Sequence, residues 1–280
     1  GGVEMATMEA RVAEHYTSGA LHTAIRAGWK KLRAVSDAAP VDQLAGVDEF
    51  HIGGRPATEM VCERMELAPG MKVLDVGCGL GGSARFMAGR FGVDVEGVDL
   101  TPEFVKVGNE LTREVGLDGK VRLVEGNALA LPYEEGVFDR ASVFHVGMNI
   151  EDKHGLFAEI SRVLRPGGLL AVYDVMRVGE GALDFPVAWA QDQSTSFVAS
   201  VADYQEAAEL AGLSVQAIEK KKELGLEFFA KMKARMAQSG PPPLGLHIVM
   251  GKDAGVKAGN MAANIAKGAI APVLMLARRG

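Results

Sequence analysis

Short runs rich in β-branched and aliphatic residues alternate with amphipathic stretches along most of this chain. The runs "KVLDVGC", "DVEGVDL", "VRLVEGNA", "FDRASVFHV", "LLAVYDVM", "SVQAIEK" and "APVLMLARR" read as strands. Between them, "SARFMAGRF", "EFVKVGNELTREVG", "KHGLFAEISRVL" and "VADYQEAAELAGL" place their apolar residues at helical spacing. Strand and helix in alternation predict an α/β fold: a doubly wound, mostly parallel, seven-stranded Rossmann-like sheet with helices on both faces. Ahead of the first strand, residues 5–34 read as helical, with Leu21, Ile25 and Trp29 on one face. Residues 35–54 read as an irregular connection ending in "DEFHIGG", and a helix is predicted from about Pro56 to Met65, with its proline in the first turn.

Two stretches break the alternation. Residues 177–197 separate a strand from a helix, and residues 221–268 hold an amphipathic helix, a "PPPLG" corner and a Met/Ala/Asn-rich helix. Insertions this long in a compact domain are usually lids or binding loops. The expected organisation is an N-terminal helical lid and access loop (1–54), a ligand-binding core (55–220), a helical lid insertion (221–268) and a last core strand (269–280). No internal repeat is seen.

Composition narrows the chemistry. A length of 280 residues suits one domain with additions, and 48% hydrophobic with 24% charged residues predicts a sizeable core. The net charge of −6 and the lack of a Lys/Arg block argue against nucleic acid as a partner. They are compatible with a small amine. The two cysteines, Cys62 and Cys78, are too few for a disulfide framework or a four-cysteine zinc site, so no metal and a reducing, cytoplasmic setting are expected. No run reaches the roughly 18 apolar residues of a membrane span, and no leader peptide is read at the N-terminus. A homodimer is compatible with this reading and is not selected by it.

The strongest motif is Leu74-Asp75-Val76-Gly77-Cys78-Gly79-Leu80-Gly81-Gly82, which follows a strand and opens a helix. Glycines there let the backbone turn sharply and approach a ligand, next to free helix N–H groups. Gly77, Gly79 and Gly82 also satisfy G-x-G-x-x-G, so a dinucleotide site is one reading. Asp75 argues against it, because a carboxylate two residues before the first glycine repels a pyrophosphate and suits an ammonium group. Asp99 ends the next strand about 20 residues on, where a carboxylate can accept ribose hydroxyls. Asn127 ends the third strand, where its amide can meet an adenine.

The motifs "VLDVGCGLGG", "GVDLTPEFV", "GNALALPYEEGVFD" and "EISRVLRPGGLLAVYD" resemble those of the class I S-adenosylmethionine-dependent methyltransferases, in their small-molecule branch. "VDEFHIGGRPAT" is similar to sarcosine/dimethylglycine and phosphoethanolamine N-methyltransferases. The resemblance covers about residues 50–220. It implies an S-adenosyl-L-methionine pocket made by Asp75, Gly77, Cys78, Gly79, Asp99, Leu100, Asn127 and Ala128, with S-adenosyl-L-homocysteine as product. It adds His51 as a cofactor contact and Tyr16 as an aromatic group over the cofactor. The partner it implies is a small-molecule methyl acceptor.

Methyl transfer from a sulfonium needs alignment, exclusion of water and the handling of one proton. His145, at the end of the fourth strand, is a candidate cofactor contact and base, and Tyr16 a second catalytic candidate. The relatives often carry a histidine where this chain has Asn149, and an asparagine orients but is no base. Met148, Asn149, Trp189 and His247 are the candidate substrate residues. Trp189 and Phe197 beside Asp192 would suit an amine, or simply pack the lid. Met232 and Met236 read as helix core. The expected reaction is methylation of a small amine of the glycine-derivative type. C- or O-methylation of a larger apolar acceptor such as a quinone or phenol, and a non-catalytic cofactor-binding module, stay open.

Overall fold

The computed structural model describes residues 19–280. The strands are β1 (Lys72–Val76), β2 (Asp94–Asp99), β3 (Val121–Glu125), β4 (Phe138–Phe144), β5 (Leu164–Arg177), β6 (Leu213–Lys220) and β7 (Ile270–Arg279). They form one sheet in the order β3-β2-β1-β4-β5-β7-β6. β1 to β5 pair in parallel, and β7 runs antiparallel between β5 and β6. The chain winds outward from β1 through β2 to β3, then returns to lay β4 on the other side of β1. That reversal leaves a crevice at the carboxyl ends of β1 and β4, the usual ligand position in such sheets.

Strand alternation assigns the two faces. Leu74 and Val76 of β1, Ala141 and Val143 of β4 and Leu170 and Val172 of β5 join one core. This core is covered by α6 (Lys153–Val163) and α7 (Val201–Leu210), through Phe157, Ile160 and Tyr204. Val73, Ala171 and Tyr173 face the opposite core, covered by α3 (Gly54–Glu63) and α4 (Gly82–Phe91). Asp75 and Ser142 stand in register on adjacent strands of this second face.

The stretch expected to be irregular contains a helix. α1 (Ala20–Arg33) is followed by α2 (Pro40–Asp48), which starts at a proline and buries Leu44 and Val47. The helix has only nine residues, with Gly46 inside it, so its apolar spacing is too brief to read as a period. Leu21, Ile25 and Trp29 of α1 meet Leu44 and Val47, then Leu80 of the glycine loop and Phe104, Val107 and Leu111 of α5 (Pro102–Glu114). The Trp29 indole donates to Gln43 Oε1 at 2.8 Å, so the polar end of the ring is satisfied inside that layer.

The C-terminal insertion forms α8 (Lys222–Ser239), α9 (His247–Met250) and α10 (Ala254–Ala266) before β7. Leu224, Leu226, Phe228 and Phe229 pack with Met261 and Ile265 of α10 against Val175, Leu183, Val187 and Trp189. Beyond Phe229 the helix leaves this cluster. Met236 is exposed and Met232 half-buried, so the pair is not the helix core expected from the sequence, because none of the described residues buries that end of α8. Among the described residues no helix is long and apolar enough to cross a membrane.

A buried carboxylate fixes the turn after β4. Asp174 is fully buried and accepts the backbone N–H groups of Val146 and Gly147, at 2.9 and 3.0 Å, and the Tyr204 hydroxyl at 2.7 Å. Burial raises its carboxyl above the usual range, and each of these donors offsets part of that cost. Tyr204→Phe removes one donor from a buried acceptor, so it should lower unfolding stability by about 1–3 kcal/mol. Urea denaturation followed by circular dichroism measures this; an unchanged midpoint contradicts the anchoring role.

Candidate active site

The site is built where β1 hands its chain to the glycine turn. Gly77, Gly79 and Gly81 have φ of 70°, 55° and 84°. A Cβ on Gly77 would lie 2.3 Å from a Val146 methyl, and one on Gly79 would lie 2.8 Å from the Phe50 ring, so both conformation and space demand glycine. Gly77 and Cys78 donate their N–H groups to Val98 O, at 2.7 and 3.0 Å. Gly79 N–H donates to Asp99 Oδ2 at 2.8 Å, and Thr101 N–H to Asp99 Oδ1 at 3.0 Å. The ends of β1 and β2 are thereby tied into one corner.

Two carboxylates converge on this corner. Asp75 is buried and accepts the Ser142 hydroxyl at 2.9 Å; burial, with Asp99 nearby, pushes its carboxyl up to about 7. Burial also raises Asp99, against the pull of its backbone donors. Among the described residues neither carboxylate has a cationic side chain within ion-pair distance. The nearest buried arginine, Arg85 in α4, is turned elsewhere. It pairs with Asp48 at 2.6 Å and donates to Gly108 O and Thr112 Oγ1. The Asp48 carboxylate lies against the N-terminus of α4, where a Cβ on Gly82 would come within 2.4 Å of Oδ1. In dinucleotide folds a pyrophosphate takes that position. Here a carboxylate of the chain itself fills it.

The remaining expected cofactor residues divide. Leu100 and Ala128 are half-buried beside this corner. Asn127 is exposed; its Oδ1 accepts Leu129 N–H at 2.9 Å, and its Nδ2 has no partner among the described residues. Cys78 contributes backbone only: its side chain turns into the core against Gly97, and burial pushes its thiol up. Tyr16 lies outside the described residues.

Residues 48–54 cross this edge of the sheet as a strap. Glu49 is held by Arg55 Nε at 3.1 Å and by the Thr58 hydroxyl at 2.8 Å, and burial raises its carboxyl to about 7. Since the Thr58 proton goes to Glu49, His51 Nε2–H donates to Thr58 Oγ1, at 2.8 Å, with Gly54 O at 3.0 Å. His145 sits on the left-handed backbone, φ 56°, at the end of β4. Its Nδ1–H donates to Tyr173 O at 2.8 Å, and its Nε2 accepts Ile52 N–H at 3.1 Å. Both ring nitrogens are thus engaged, and burial lowers the pKa to about 4. His51 is lowered to about 3, by burial and then by His145. The Tyr173 hydroxyl donates to Ile52 O at 2.7 Å.

The lid brings Met148 and Trp189 together with Ile52, Leu183, Val187 and Met261 in one apolar cluster. Trp189 is buried with its N–H on Ser196 Oγ at 2.9 Å, and Phe197 N–H donates to Met148 O at 3.0 Å. Asn149 lies half-buried on the 3-10 turn Gly147–Asn149. Asp192 is exposed and caps Ser194. His247 is exposed at the start of α9, whose Ile248 and Val249 pack with α1 and α5 rather than with Trp189. Asp48, Phe50, Ile52, Ser142 and Tyr173 were not singled out from the sequence. Strand alternation puts Tyr173 on the face of Asp75, but its partner is a backbone carbonyl that sequence does not reveal.

Residues 74–172 match the family model described as a methyltransferase domain. The chain is thus similar to class I S-adenosylmethionine-dependent methyltransferases over this segment. It is 35% identical over 140 residues to a methyltransferase, GfsG, of Streptomyces halstedii, covering half of each chain. It is 36% identical over 136 residues to phosphoethanolamine N-methyltransferase 1 of Arabidopsis thaliana, covering 49% of this chain and 27% of that one. The matched segments thus span half or less of these curated relatives. A solved geranyl diphosphate methyltransferase, in complex with S-adenosylmethionine, aligns over 80% of this chain and 85% of that one, with 26% identity and a TM-score of 0.65.

The geometry makes His145 a neutral imidazole with its proton on Nδ1. Nitrogen-15 NMR at pH 7 should show that tautomer, and the ring should titrate near pH 4. A midpoint near the ordinary 6.5 contradicts the burial and the hydrogen bonds described.

Proposed function

We propose that this chain transfers a methyl group from S-adenosylmethionine to a small molecule with an apolar body. The observation that carries the reading is a pair of carboxylates, buried Asp75 and half-buried Asp99, around a glycine turn with no cationic side chain paired to either among the described residues. A buried anion calls for an opposite charge or donors. The residues fit the cofactor. Asp75 suits its ammonium, and Asp99 its ribose hydroxyls. Gly77 and Gly79 give the close backbone approach, and Leu100, Asn127 and Ala128 flank the adenine side. Asn127 would present its Nδ2 donor there, since Oδ1 already accepts from Leu129.

When bound, the cofactor supplies a methyl group already activated by sulfonium charge. The chain's own residues orient the partners and exclude water. His145 has both ring nitrogens engaged, His51 is buried with its Nε2 on Thr58 and Gly54, and the Asn149 amide is no base. The proposed acceptor therefore brings a nucleophile that needs little help with its proton.

The lid supports the apolar acceptor. Ile52, Met148, Leu183, Val187, Trp189 and Met261 form its inner cluster, without a charged member. The aromatic and carboxylate pair that an amine would use is not assembled, since the Trp189 ring is packed and Asp192 faces solvent. The likeness to a geranyl diphosphate methyltransferase agrees. An amine acceptor is the second reading, supported by the similarity to a phosphoethanolamine N-methyltransferase. Methyl-labelled S-adenosylmethionine offered with isoprenoid, phenolic and quinol acceptors, and with sarcosine and phosphoethanolamine, separates them. Label in the apolar group is expected, and label in the amines alone refutes the apolar acceptor.

Two outcomes test the cofactor roles. Asp99→Ala should weaken S-adenosylmethionine binding by about 1–3 kcal/mol, from the lost charge-assisted hydrogen bonds; unchanged affinity in calorimetry removes Asp99 from the ribose. The Asp75 carboxyl, raised to about 7 in the free protein, must ionise to receive an ammonium. Affinity should therefore be full above that pH and fall as pH drops through it. A profile that is flat from about pH 7.5 to 5.5 contradicts the pairing.

A further inference from the structure

We infer that Tyr173 and His145 are positioning residues that latch residues 48–54 shut over the cofactor cleft, and that this latch sets how long the cofactor stays bound. The inference rests on the proposed use of S-adenosylmethionine.

The latch grips the backbone of one residue, Ile52, through its N–H and its C=O. Ile52 N–H donates to His145 Nε2 at 3.1 Å, and Ile52 O accepts the Tyr173 hydroxyl at 2.7 Å. The two jaws are tied to each other, because Tyr173 O accepts both the Nδ1–H and the backbone N–H of His145, each at 2.8 Å. They stand on neighbouring strands of the rigid sheet, at the end of β4 and within β5. A jaw held this way has little freedom to follow the strap if the strap lifts.

The strap is tied again at its start, where Asp48 pairs with Arg85 at 2.6 Å in a fully buried contact. At its other end Gly53 and Gly54 have φ of 94° and 52°. Such a glycine pair can change direction at little steric cost. Between the two ties lies Phe50. Its half-buried ring rests on Gly79, and its centroid is 5.4 Å from that of Phe104. Gly79 is the residue whose N–H holds Asp99. Releasing Ile52 would free Phe50 to leave that corner and open the cleft, while Asp48 stays fixed. Cofactor exchange would then pass through loss of two hydrogen bonds to the backbone of a single residue.

The test uses the full chain. Tyr173→Phe removes one hydroxyl and keeps the ring, and Phe50→Ala removes the cover. Stopped-flow displacement of S-adenosylmethionine gives the dissociation rate of each variant and of the double variant. Hydrogen exchange reads the Ile52 amide directly. Tyr173→Phe should speed both dissociation and Ile52 exchange about three- to tenfold, the worth of one such hydrogen bond. Phe50→Ala should also speed dissociation, and the double variant should be no faster than the faster single, because the latch acts through Phe50. A purely structural tyrosine would lower the melting temperature and leave the dissociation rate unmoved; that result overturns the latch. Independent, multiplying effects in the double variant overturn it as well. Should Tyr173→Phe fail to fold, the rate for Phe50→Ala decides, and a rate equal to the starting protein's refutes the cover. Failure of the unaltered chain to bind S-adenosylmethionine would refute the functional reading itself, and the latch with it.

Discussion

A carboxylate taken out of water is unfavourable unless charge or hydrogen bonds replace the lost hydration. This chain places Asp75, buried, and Asp99, half-buried, at the mouth of one glycine turn. Ser142 serves the first, and the backbone N–H groups of Gly79 and Thr101 serve the second. No described cation comes to either. Arg85, which lies close by in sequence, is committed to Asp48. We propose that this corner takes a ligand that is positive and hydroxyl-bearing, and the rest of the architecture suits that reading. The chain reverses its winding direction between β1 and β4 there, β2 delivers Asp99, and the glycines keep the backbone low enough for a ligand to approach.

Asp48 gives the same corner a second constraint. The N-terminus of α4 offers unpaired donors and a favourable field for anions. In this molecule the strap supplies its own anion and closes that seat with a buried ion pair. The glycine pattern shared with dinucleotide folds thus meets a different electrostatic setting, to which the proposed choice of ligand is assigned. The same strap places Phe50 on Gly79 and Ile52 between His145 and Tyr173. Residues 48 to 52 each have a separate tertiary task, which is why this short segment shapes the cleft.

Much of the fold was legible because it rests on local period. The strands were readable as dense apolar runs, and the parallel order followed from their alternation with helices. The glycine turn and its flanking acids were readable because their spacing reflects how a strand, a turn and a helix join. What was not legible depends on contacts distant in sequence. Helix Pro40–Asp48 is too short for its period to stand out, and its stability comes from packing Leu44 and Val47 on α1 and α5. Met232 and Met236 have helical spacing but lie on a helix end that the described residues leave uncovered. His145 was readable as a strand-end histidine, while its engagement with Ile52 and Tyr173 spans 93 and 28 residues. His247 and Trp189 belong to different clusters because the "PPPLG" corner carries α9 toward the N-terminal helices. Sequence order alone does not contain that routing.

The central claim is that the acidic glycine corner selects a cationic nucleoside ligand over a pyrophosphate one. Isothermal titration of the full chain with S-adenosylmethionine, NAD and NADP in parallel tests it most directly. The account predicts saturable heat with S-adenosylmethionine and none with either dinucleotide. Binding of NAD or NADP with no response to S-adenosylmethionine would contradict it, since the Asp48 carboxylate and the two strand-end acids would then not control what the corner accepts.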